Sequence, residues 1–425
     1  MLVMHSNCQL EKLKSSLPLN MKHVIISAFS CDPTKGSEPG NGWMWASGIA
    51  SRGYFVHLLT TSRAKENIDH QIEVSGLSSS IKVHYIDHSG FWRWAYFKNF
   101  ILMYAAYWLW QKKILKYVIN NLMQYEIAFI HHVTWGSLKM GSSLYKTNIP
   151  MLFGPIGGGQ KTPLIFKDYL GKDYWKEKLR NKLGPVILGL NPLSKNTLSN
   201  SKVLVTNKDT FELAKKYCTS TPDIIFDCAI KEATAEKKWQ ETTILNLLWV
   251  GRVYGFKGLR LIIAALSKLP SEQLIKIELT IVGDGPDLLN IQKAVKGNHL
   301  QDVVVFTGMI PYNQVADYYI KSDVFIYTSL RDSFPSQLLE AQLFSLPVIT
   351  LDLHGQALMV NQDTGIKCSI DDPEQTVQEI VSAIQFFLEH SNEIIRLGKN
   401  AHKFAILQTW DKKIDQIVSK YYPEK

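Results

Sequence analysis

Short β-branched and aliphatic runs alternate with longer helical stretches along most of this chain. In the first half the runs occupy His23–Phe29, Phe55–Thr60, Lys82–Ile86, Ile127–His131, Pro150–Phe153 and Lys202–Thr206. The alternation restarts over Leu245–Val250, Glu278–Val282, Val303–Phe306, Val324–Thr328 and Val348–Leu351. Strands that alternate with helices build parallel sheets, so the pattern predicts an α/β protein with two Rossmann-like halves.

A polar stretch without an apolar period, Lys231 to Thr243, separates the two halves and is predicted to be a linker. A chain of 425 residues also suits two domains better than one. We predict an N-terminal Rossmann-like domain over 22–230 and a second over 244–400, facing each other across a cleft. The last segment, 401–425, continues a helical pattern and is predicted to pack back on the first domain.

The formal charge of +9 narrows the class of partner. A basic balance favours nucleic acid, an anionic membrane surface or a phosphorylated small substrate. The chain carries no motif that reads RNA or DNA, so the sequence predicts no nucleic-acid partner and favours the other two.

The cysteines and the amino-terminal residues bear on the compartment. Five cysteines are scattered without a CxxC pair or a His/Cys ligand spacing, which predicts a reducing compartment and no structural zinc. Glu11, Lys12 and Lys14 interrupt the apolar core that a signal peptide needs, so we expect a cytoplasmic protein. Met21 precedes the first strand, which leaves open that the first twenty residues are a loose extension.

The segment Phe91 to Val118 is the part of the chain that could touch a membrane. Its uncharged run, Asn99 to Gln111, is shorter than the roughly 20 residues that span a bilayer. Lysines, an arginine and many aromatic residues flank that run. Two interpretations remain: a helix that packs on the core of the first domain, which the pattern favours, and a helix that lies at the inner face of the plasma membrane.

The stretch from Ser329 to Ala341 is the most informative part of the sequence. It follows a predicted buried strand and opens a helix in which Glu340 is the only charged residue between Asp332 and Asp352. A carboxylate in apolar surroundings is costly unless hydrogen-bond donors meet it, and a sugar diol supplies two. The Asp332 and Glu340 pair therefore predicts a site for a polyhydroxylated ligand at the carboxyl end of a parallel strand.

Arg252 and Lys257 lie in a glycine-punctuated loop directly after the run Leu245–Val250. Two cations can bind a diphosphate by charge-assisted hydrogen bonds, and glycines let the backbone approach a ligand closely. A basic surface loop is the alternative. The neighbouring strand end with Asp332 and Glu340 favours the ligand site.

The first half contributes a second glycine-rich loop, which contains Gly40, Asn41 and Gly42. A strand, such a loop and a helix that opens near Gly42 can place backbone N–H groups where anions bind. The spacing matches neither the dinucleotide fingerprint nor the P-loop. A flexible loop at the mouth of the cleft is the alternative.

Two adjacent histidines, His131 and His132, end another buried run. Neighbouring side chains on a strand point to opposite faces, so at most one of them faces the cleft. Two interpretations remain open: a buried histidine with a structural role, and a histidine that contacts the acceptor. The glycines of the next loop, around Gly157, favour a tight turn close to the acceptor.

Taken together, these motifs resemble the family 4 glycosyltransferases, which are retaining enzymes of the GT-B fold. The resemblance covers about Lys22 to Lys420. It rests on the first glycine-rich loop, the GR-x4-K loop, the VGDGP turn and the stretch SLRDSFPSQLLEAQLFSLPVI, which is similar to the E-x7-E signature of the family. The segments SEPGNGW, HHVTWGS and GPIGGG suggest the branch that builds bacterial surface polysaccharides such as lipopolysaccharide.

The resemblance implies roles for particular residues. Arg252 and Lys257 would bind the donor diphosphate and stabilise charge on the departing nucleotide, Asp332 would meet sugar hydroxyls, and Glu340 would hold the ribose diol. His132 would match the histidine near the transferred sugar, with His131 as the alternative. The remaining implied substrate contacts are Gly40, Asn41, Gly42, Gly251, Ser333 and Phe334.

Three positions depart from the pattern of the family. Asp332 stands where the first signature residue is usually Glu, and Pro335 stands where a glycine usually follows Phe. These two changes put the sugar preference in doubt. Ser345 replaces a glycine before the x-P-V strand, which implies a modest backbone strain.

The leading hypothesis is transfer of a hexose from a nucleotide diphosphate sugar to a hydroxyl of a glycan or lipid-linked acceptor, with retention. The nucleotide sugar is a co-substrate, and no cofactor or metal is expected because two side-chain cations can stabilise the leaving charge. Two alternatives remain, a nucleotide-sugar epimerase of the same fold and a non-catalytic scaffold that binds nucleotide sugar. A nicotinamide dehydrogenase is disfavoured because neither half carries the dinucleotide fingerprint.

Overall fold

A computed structural model describes residues 21–88, 90–92, 100–231, 237, 239 and 243–424. Its first sheet contains seven parallel strands in the order β3-β2-β1-β4-β5-β6-β7. These strands are His23–Ser27, Phe55–Thr60, Ile81–Tyr85, Ile127–His132, Met151–Ile156, Lys202–Val205 and Asp223–Ile224, numbered β1 to β7 along the chain.

The second sheet contains six parallel strands in the order β10-β9-β8-β11-β12-β13. They are Leu245–Val250, Ile277–Val282, Val304–Gly308, Val324–Tyr327, Val348–Leu351 and Gly365–Cys368, numbered β8 to β13. Each sheet is covered by helices, which explains why its strands are apolar runs rather than alternating ones. The predicted pair of Rossmann-like α/β units is confirmed.

Helices connect the strands of both sheets. In the first domain they are Ser37–Ser51 (α1), Lys65–Val74 (α2), Phe100–Asn121 (α3), Lys167–Leu170 (α4), Tyr174–Leu190 (α5), Pro192–Ser199 (α6) and Lys208–Ala214 (α7). In the remainder they are Leu259–Leu266 (α8), Ser271–Leu274 (α9), Leu288–Gly297 (α10), Val315–Lys321 (α11), Ser336–Leu343 (α12), Gln356–Met359 (α13), Pro373–Glu389 (α14), Ser391–Ala405 (α15) and Trp410–Tyr421 (α16).

The last helix, α16, packs on the first domain. Trp410 and Ile414 are buried in the same core cluster as Trp45 of α1, and the Trp45 and Trp410 rings lie 5.4 Å apart. Arg52 also reaches the carboxylate of Asp415 at 2.9 Å. Helix α15 runs through residue 400 and packs on the second domain. The returning segment therefore begins at Trp410 rather than at residue 401.

The chain crosses between the domains twice, and the two crossings are hydrogen bonded to each other. The backbone N–H of Ile230 donates to the carbonyl of Gln408 at 3.1 Å, and the N–H of Trp410 donates to the carbonyl of Ile230 at 3.1 Å. The first crossing leads into the predicted linker, Lys231 to Thr243, most of which lies outside the described residues.

Part of the first domain also reaches over to the second. Phe166 and Leu170 are fully buried in the core cluster of the second domain, beside its residue Val253. The carboxylate of Asp173 accepts the backbone N–H of Gly255 at 2.8 Å. The two walls of the cleft are therefore held together by packing as well as by the chain crossings.

The aromatic helix α3 packs on the core of the first domain, as the first interpretation of Phe91 to Val118 predicts. Tyr107, Trp110 and Ile114 are buried in the core cluster, whereas Trp108 is exposed. Residues 93–99, and with them Arg93 and Lys98, lie outside the described residues, as does the predicted extension over residues 1–20. In the part of the chain that the structure describes, no helix is long and apolar enough to cross a membrane.

Candidate active site

The ammonium group of Lys257 lies between an aspartate and a tyrosine at the floor of the cleft. It pairs with Oδ2 of Asp332 and lies 2.7 Å from the hydroxyl of Tyr327, which donates to the same oxygen at 2.6 Å. Burial raises the pKa of the Asp332 carboxyl, but the charge of Lys257, the hydrogen bonds from Lys257 and Tyr327 and the charge of Arg331 together lower the pKa overall. Asp332 is thus an ionised, oriented acceptor.

Lys257 and Asp332 line a cavity of about 370 Å³, which Arg252 and Arg331 also line. Helix α12 begins at Ser336, and Gln337 in its first turn faces the same cavity. The first turn of a helix presents unpaired N–H groups and a partial positive charge, so it favours an anion. The cavity therefore combines three side-chain cations, Arg252, Lys257 and Arg331, with a helix N-terminus.

The loop that carries the two cations depends on close backbone packing. Gly258 has a φ of +74°, and a Cβ there would lie 1.9 Å from the carbonyl oxygen of Thr328 at the end of β11. A side chain at this position would push the loop away from the strand. This contact keeps Lys257 close to Asp332.

Glu340, one turn further along α12, is met by two tyrosines. The hydroxyl of Tyr312 donates to Oε1 at 3.3 Å, and that of Tyr319 donates to Oε2 at 3.2 Å. Burial raises the pKa of the Glu340 carboxyl, and the hydrogen bonds from Tyr319, Tyr312 and Ser336 offset part of that increase. The carboxylate of Glu340 thus lies in apolar surroundings, as the sequence predicts, and tyrosine hydroxyls donate its hydrogen bonds.

A second cavity, of about 400 Å³, opens at Glu340 and is lined from both domains. Gly40 and Asn41 line it from the first domain, and Asn41 also donates to the backbone carbonyl of Asp227 at 2.9 Å. Gly42 does not line it, because Gly42 packs against the backbone of Ser30. These three residues lie in the first turns of α1, which begins at Ser37 and not near Gly42.

Ser333 joins the two walls of the cleft. Its hydroxyl lies 2.7 Å from that of Thr206, and Asn207 donates to its carbonyl at 3.1 Å. Ser333 also lines the cavity of Arg252 and Lys257. Phe334 is buried, with its ring 4.4 Å from that of Phe226, so it packs in the cleft floor.

Gly251 lies in the same loop as Arg252, with a φ of +157° that is rare for other residues. The carbonyl of Gly251 lies against Gly283 of the VGDGP turn, where a Cβ would come within 1.9 Å of it. The glycines of the two loops therefore allow the backbones of these loops to pack closely against each other. The VGDGP turn is a packing element behind the cation loop.

The structure places neither His132 nor His131 in the cleft, which corrects the expectation that one of them faces it. His132 is fully buried, with Tyr107 at 3.1 Å from one ring nitrogen and Ser27 at 3.0 Å from the other. His131 is equally buried and bonds Tyr422 and the carbonyl of Gly154. Burial lowers the pKa of His132 to about 3 and that of His131 to about 4. Both rings are neutral core groups.

An ion pair across the cleft was not anticipated from the sequence. Nε of Arg331 lies 2.7 Å from Oε2 of Glu177, which also accepts the hydroxyl of Thr162 at 2.6 Å. Arg331 stacks over the ring of Phe256 at 4.1 Å. Arg331 precedes Asp332 in the signature stretch, so its position there is the only sequence signal for this contact.

Two further carboxylates near the cleft also went unnoticed. The pKa of Asp227 is raised by burial and by the negative charges of Asp332 and Glu38, with Lys413 opposing the increase. Glu38 accepts the backbone N–H of Trp135 at 2.5 Å, and the surrounding protein raises its pKa. Asp227 stands in the apolar run IIFDCAI and Glu38 in the polar segment KGSEPGN, and neither position indicates that the two carboxylates lie near each other.

No group of three or more His, Cys, Asp or Glu side chains within the described ranges is placed to hold a metal ion. The side-chain cations that line the cavity at the start of α12 are Arg252, Lys257 and Arg331. The absence of a metal requirement stays a prediction.

Residues 231–404 match the sequence model of the family described as glycosyl transferases group 1. The second domain belongs to the group 1 glycosyltransferases. This confirms the predicted resemblance. The glycosyltransferase domain contains Arg252, Lys257, Asp332 and Glu340, so the residues singled out for donor binding lie within the matched segment.

A relative with a similar sequence is an uncharacterized glycosyltransferase of Methanocaldococcus jannaschii. It is 30% identical over 162 residues, which cover 38% of this chain and 40% of the relative. The match therefore spans less than half of that relative. It covers 33% of the phosphatidylinositol N-acetylglucosaminyltransferase GPI3 subunit of Saccharomyces cerevisiae and 43% of the N-acetyl-alpha-D-glucosaminyl L-malate synthase of Bacillus anthracis.

Solved structures resemble the whole chain more evenly. Sucrose-phosphate synthase from Thermosynechococcus elongatus has a TM-score of 0.68 at 17% identity, covering 94% of this chain and 98% of that one. HepE of Anabaena, solved in complex with UDP, has a TM-score of 0.62 at 14% identity, covering 94% and 99%. The predicted GT-B fold, with its two Rossmann-like domains, is confirmed.

Proposed function

We propose that this protein transfers a hexose from a nucleotide diphosphate sugar to a hydroxyl group of a glycan or lipid-linked acceptor. One observation carries the proposal: the start of α12 separates two cavities with complementary chemistry. One cavity has Arg252, Lys257 and the helix N-terminus, which suit a diphosphate. The other has Glu340, which suits a ribose diol.

The donor would lie across the first turn of α12, with its diphosphate at the cations and its ribose at Glu340. Asp332 remains ionised beside Lys257 and would accept a sugar hydroxyl next to the diphosphate. Glu340 would exchange its tyrosine donors for the two ribose hydroxyls. This arrangement assigns the donor to the second domain and leaves the first domain for the acceptor.

The transfer would retain the configuration of the sugar by a front-face departure. The bond between the anomeric carbon and the diphosphate oxygen breaks, and the acceptor oxygen bonds to that carbon from the same side. The acceptor proton passes to the departing diphosphate, so charge and atoms balance. Arg252 and Lys257 stabilise the negative charge that develops on the leaving group, which is where such groups accelerate a reaction most.

The acceptor side is proposed to be built by the first domain, with Gly40 and Asn41 facing the cavity across from Glu340. We place the reaction in polysaccharide synthesis, at the inner face of the plasma membrane of a bacterium. UDP is the first nucleotide to test, because HepE of Anabaena was solved in complex with it. The base, the sugar and the acceptor are open to experiment.

A thermal-shift panel of UDP, GDP and ADP with their sugars tests donor binding, because a ligand that binds the folded state raises the apparent melting temperature. We expect one nucleoside diphosphate and its sugar to raise it, and flat responses throughout would refute the proposal. Incubation of the active donor without acceptor then separates the alternatives. An epimerase changes the sugar by itself, and a scaffold binds donor but transfers nothing to any glycan or lipid acceptor.

A further inference from the structure

Helix α5 exposes an apolar stripe along its whole outer face. At about 100° per residue its apolar positions fall within an arc of about 120°. The side chains of this stripe are 40% to 77% exposed, and they are Trp175, Leu179, Leu183, Val186, Ile187 and Leu190. A single exposed apolar residue needs no explanation, but a continuous row of this length marks an interaction surface.

The opposite face of α5 is fixed to the protein. Glu177, Gly184 and Leu188 are buried, and Glu177 bonds Arg331 and Thr162. The helix is therefore held rigidly with its apolar stripe pointing outward. The stripe is not the core face of a loosely docked helix.

The exposed charges along α5 are all positive. Lys178 and Lys182 are exposed beside the stripe, Lys176 is exposed within its arc at the start of the helix, and Lys178 lies 5.0 Å from the ring of Trp175. The one acidic residue of Tyr174–Leu190 is Glu177, whose carboxylate faces inward to Arg331. An apolar row with a cationic border is the pattern of a helix that lies in the interface of a bilayer.

The apolar surface continues past the end of α5 onto α3. A groove of about 270 Å³ lies between the two regions and is lined by Tyr104, Trp108, Met140 and Leu193. Trp108 is exposed, and the ammonium of Lys112 lies 3.5 Å from its ring. Aromatic side chains beside lysines suit the boundary between headgroups and acyl chains.

We propose that the outer face of α5 lies on an anionic lipid bilayer, with Trp108 at the edge of the contact. A second copy of the chain fits this face less well, because two copies would bring the lysines of both stripes together. Anionic headgroups would neutralise the lysines, while the apolar row enters the acyl region. This inference goes beyond the proposed transfer reaction and assigns the contact to α5 rather than to α3 alone.

Flotation of the full chain with vesicles tests the proposal. We expect binding to phosphatidylcholine vesicles that contain phosphatidylglycerol and little binding to phosphatidylcholine alone. Lys178→Gln with Lys182→Gln should weaken partitioning to the anionic vesicles about thirtyfold, at the usual effect of each lysine near such a surface. Leu179→Ser with Leu190→Ser should weaken it about a hundredfold, because two apolar side chains no longer enter the bilayer.

Matched variants on α10 and at the end of α9 control for the loss of surface charge and of exposed apolar side chains. Lys293→Gln with Lys296→Gln removes two exposed lysines, and Ile275→Ser with Leu289→Ser removes two side chains that are 75% and 72% exposed. Both pairs should float as the unchanged chain does. Circular dichroism of every variant verifies the fold.

Three outcomes would overturn the proposal. They are failure of the unchanged chain to float with anionic vesicles, unaltered flotation of both α5 variants, and a dimer in light scattering that Leu179→Ser with Leu190→Ser dissolves without any vesicle binding. Flotation needs neither donor nor acceptor. Its failure would leave the proposed transfer reaction standing, and a lack of transfer would leave the membrane contact standing.

Discussion

Among single residues, Lys257 has the largest expected effect on chemistry, because its ammonium lies at the cavity proposed for the diphosphate. Lys257→Ala should lower kcat by about 10²- to 10³-fold, the usual effect of removing one preorganised charge-stabilising group. The free energy of unfolding should fall by no more than about 3 kcal/mol, because Tyr327 still donates to Asp332. Initial rates and urea unfolding measure the two effects.

Lys367→Ala is the matched control for that variant. Lys367 pairs with Asp352 at 2.9 Å outside the two cavities of the cleft. Its removal should leave the rate of transfer unchanged. Normal turnover of Lys257→Ala would contradict the proposal that this loop binds the diphosphate.

Glu340→Gln tests the ribose contact. A neutral amide makes weaker hydrogen bonds to a diol than a carboxylate does, so nucleotide affinity should fall about ten- to a hundredfold. Calorimetric titration with the active nucleoside diphosphate measures it. Glu379→Gln alters a carboxylate that bonds Ser369 and Gln375 instead, and it should bind nucleotide normally. Equal affinities in the two variants would exclude Glu340 from the nucleotide site.

At the scale of elements, α12 is followed by a strained residue. Ser345 has a φ of +61°, is fully buried, and its hydroxyl has no hydrogen-bond partner among the described residues. Glycine adopts this conformation without the steric cost that a side chain carries. Ser345→Gly should raise the free energy of unfolding by about 1 kcal/mol, measured by urea denaturation.

Ser267→Gly is the opposite case and serves as the control. Ser267 follows α8 with a φ of −66°, which suits an ordinary residue. Glycine there adds freedom to the unfolded chain and should lower stability by about 0.5 to 1 kcal/mol. If both glycine variants shift stability in the same direction, strain at Ser345 is not the cause.

Most strands could be predicted from their apolar runs, whereas short or polar elements could not. The strand β13, Gly365–Cys368, carries a lysine and a glycine in four residues, so no apolar run marks it. Helix α1 begins inside a stretch of Ser, Pro and Gly that resembles a loop. Pro39 is tolerated there because the N–H groups of a first turn have no intrahelical partner.

At the scale of the whole molecule, buried neutral histidines make the fold sensitive to acid. Burial lowers the pKa from its ordinary value of 6.5 to about 2 for His57 and about 4 for His84, besides the two buried histidines of β4. Below pH 6.5 these histidines bind protons in the unfolded chain but stay neutral in the folded chain. Stability should therefore fall by about 1.4 kcal/mol per pH unit for each such histidine, from pH 6.5 down to about 4.

Urea midpoints measured across that range check the expectation. His57→Asn should lose stability less steeply than the unchanged chain, by about 1.4 kcal/mol per pH unit. His70→Asn, at an exposed position in α2, should leave the slope unaltered. A pH-independent midpoint between pH 7 and 5 would contradict the assignment of these rings as neutral.

The part of the site that we propose for the donor could be predicted because its residues follow neighbouring strands or lie in the helix after them. Arg252, Lys257 and Asp332 come together at the ends of β8 and β11, and Glu340 lies in the helix that follows. Tyr312 and Glu177 come from distant segments whose polar residues look like ordinary surface. The hydrogen-bond partners of His131 and His132 depend on packing across the first domain, which the pattern of apolar residues in the sequence does not predict.

The bonded crossings at Ile230 and Gln408 have a mechanical consequence. Two attachments side by side permit rotation about the line that joins them and resist twisting or sliding in other directions, while the packing of Phe166 and Leu170 on the second domain limits the extent of that rotation. Opening of the cleft should thus follow a single arc, along which Ser333 separates from Thr206 and Arg331 from Glu177 together. A sugar donor and its acceptor would meet in the same orientation at every closure, without a search among docking poses.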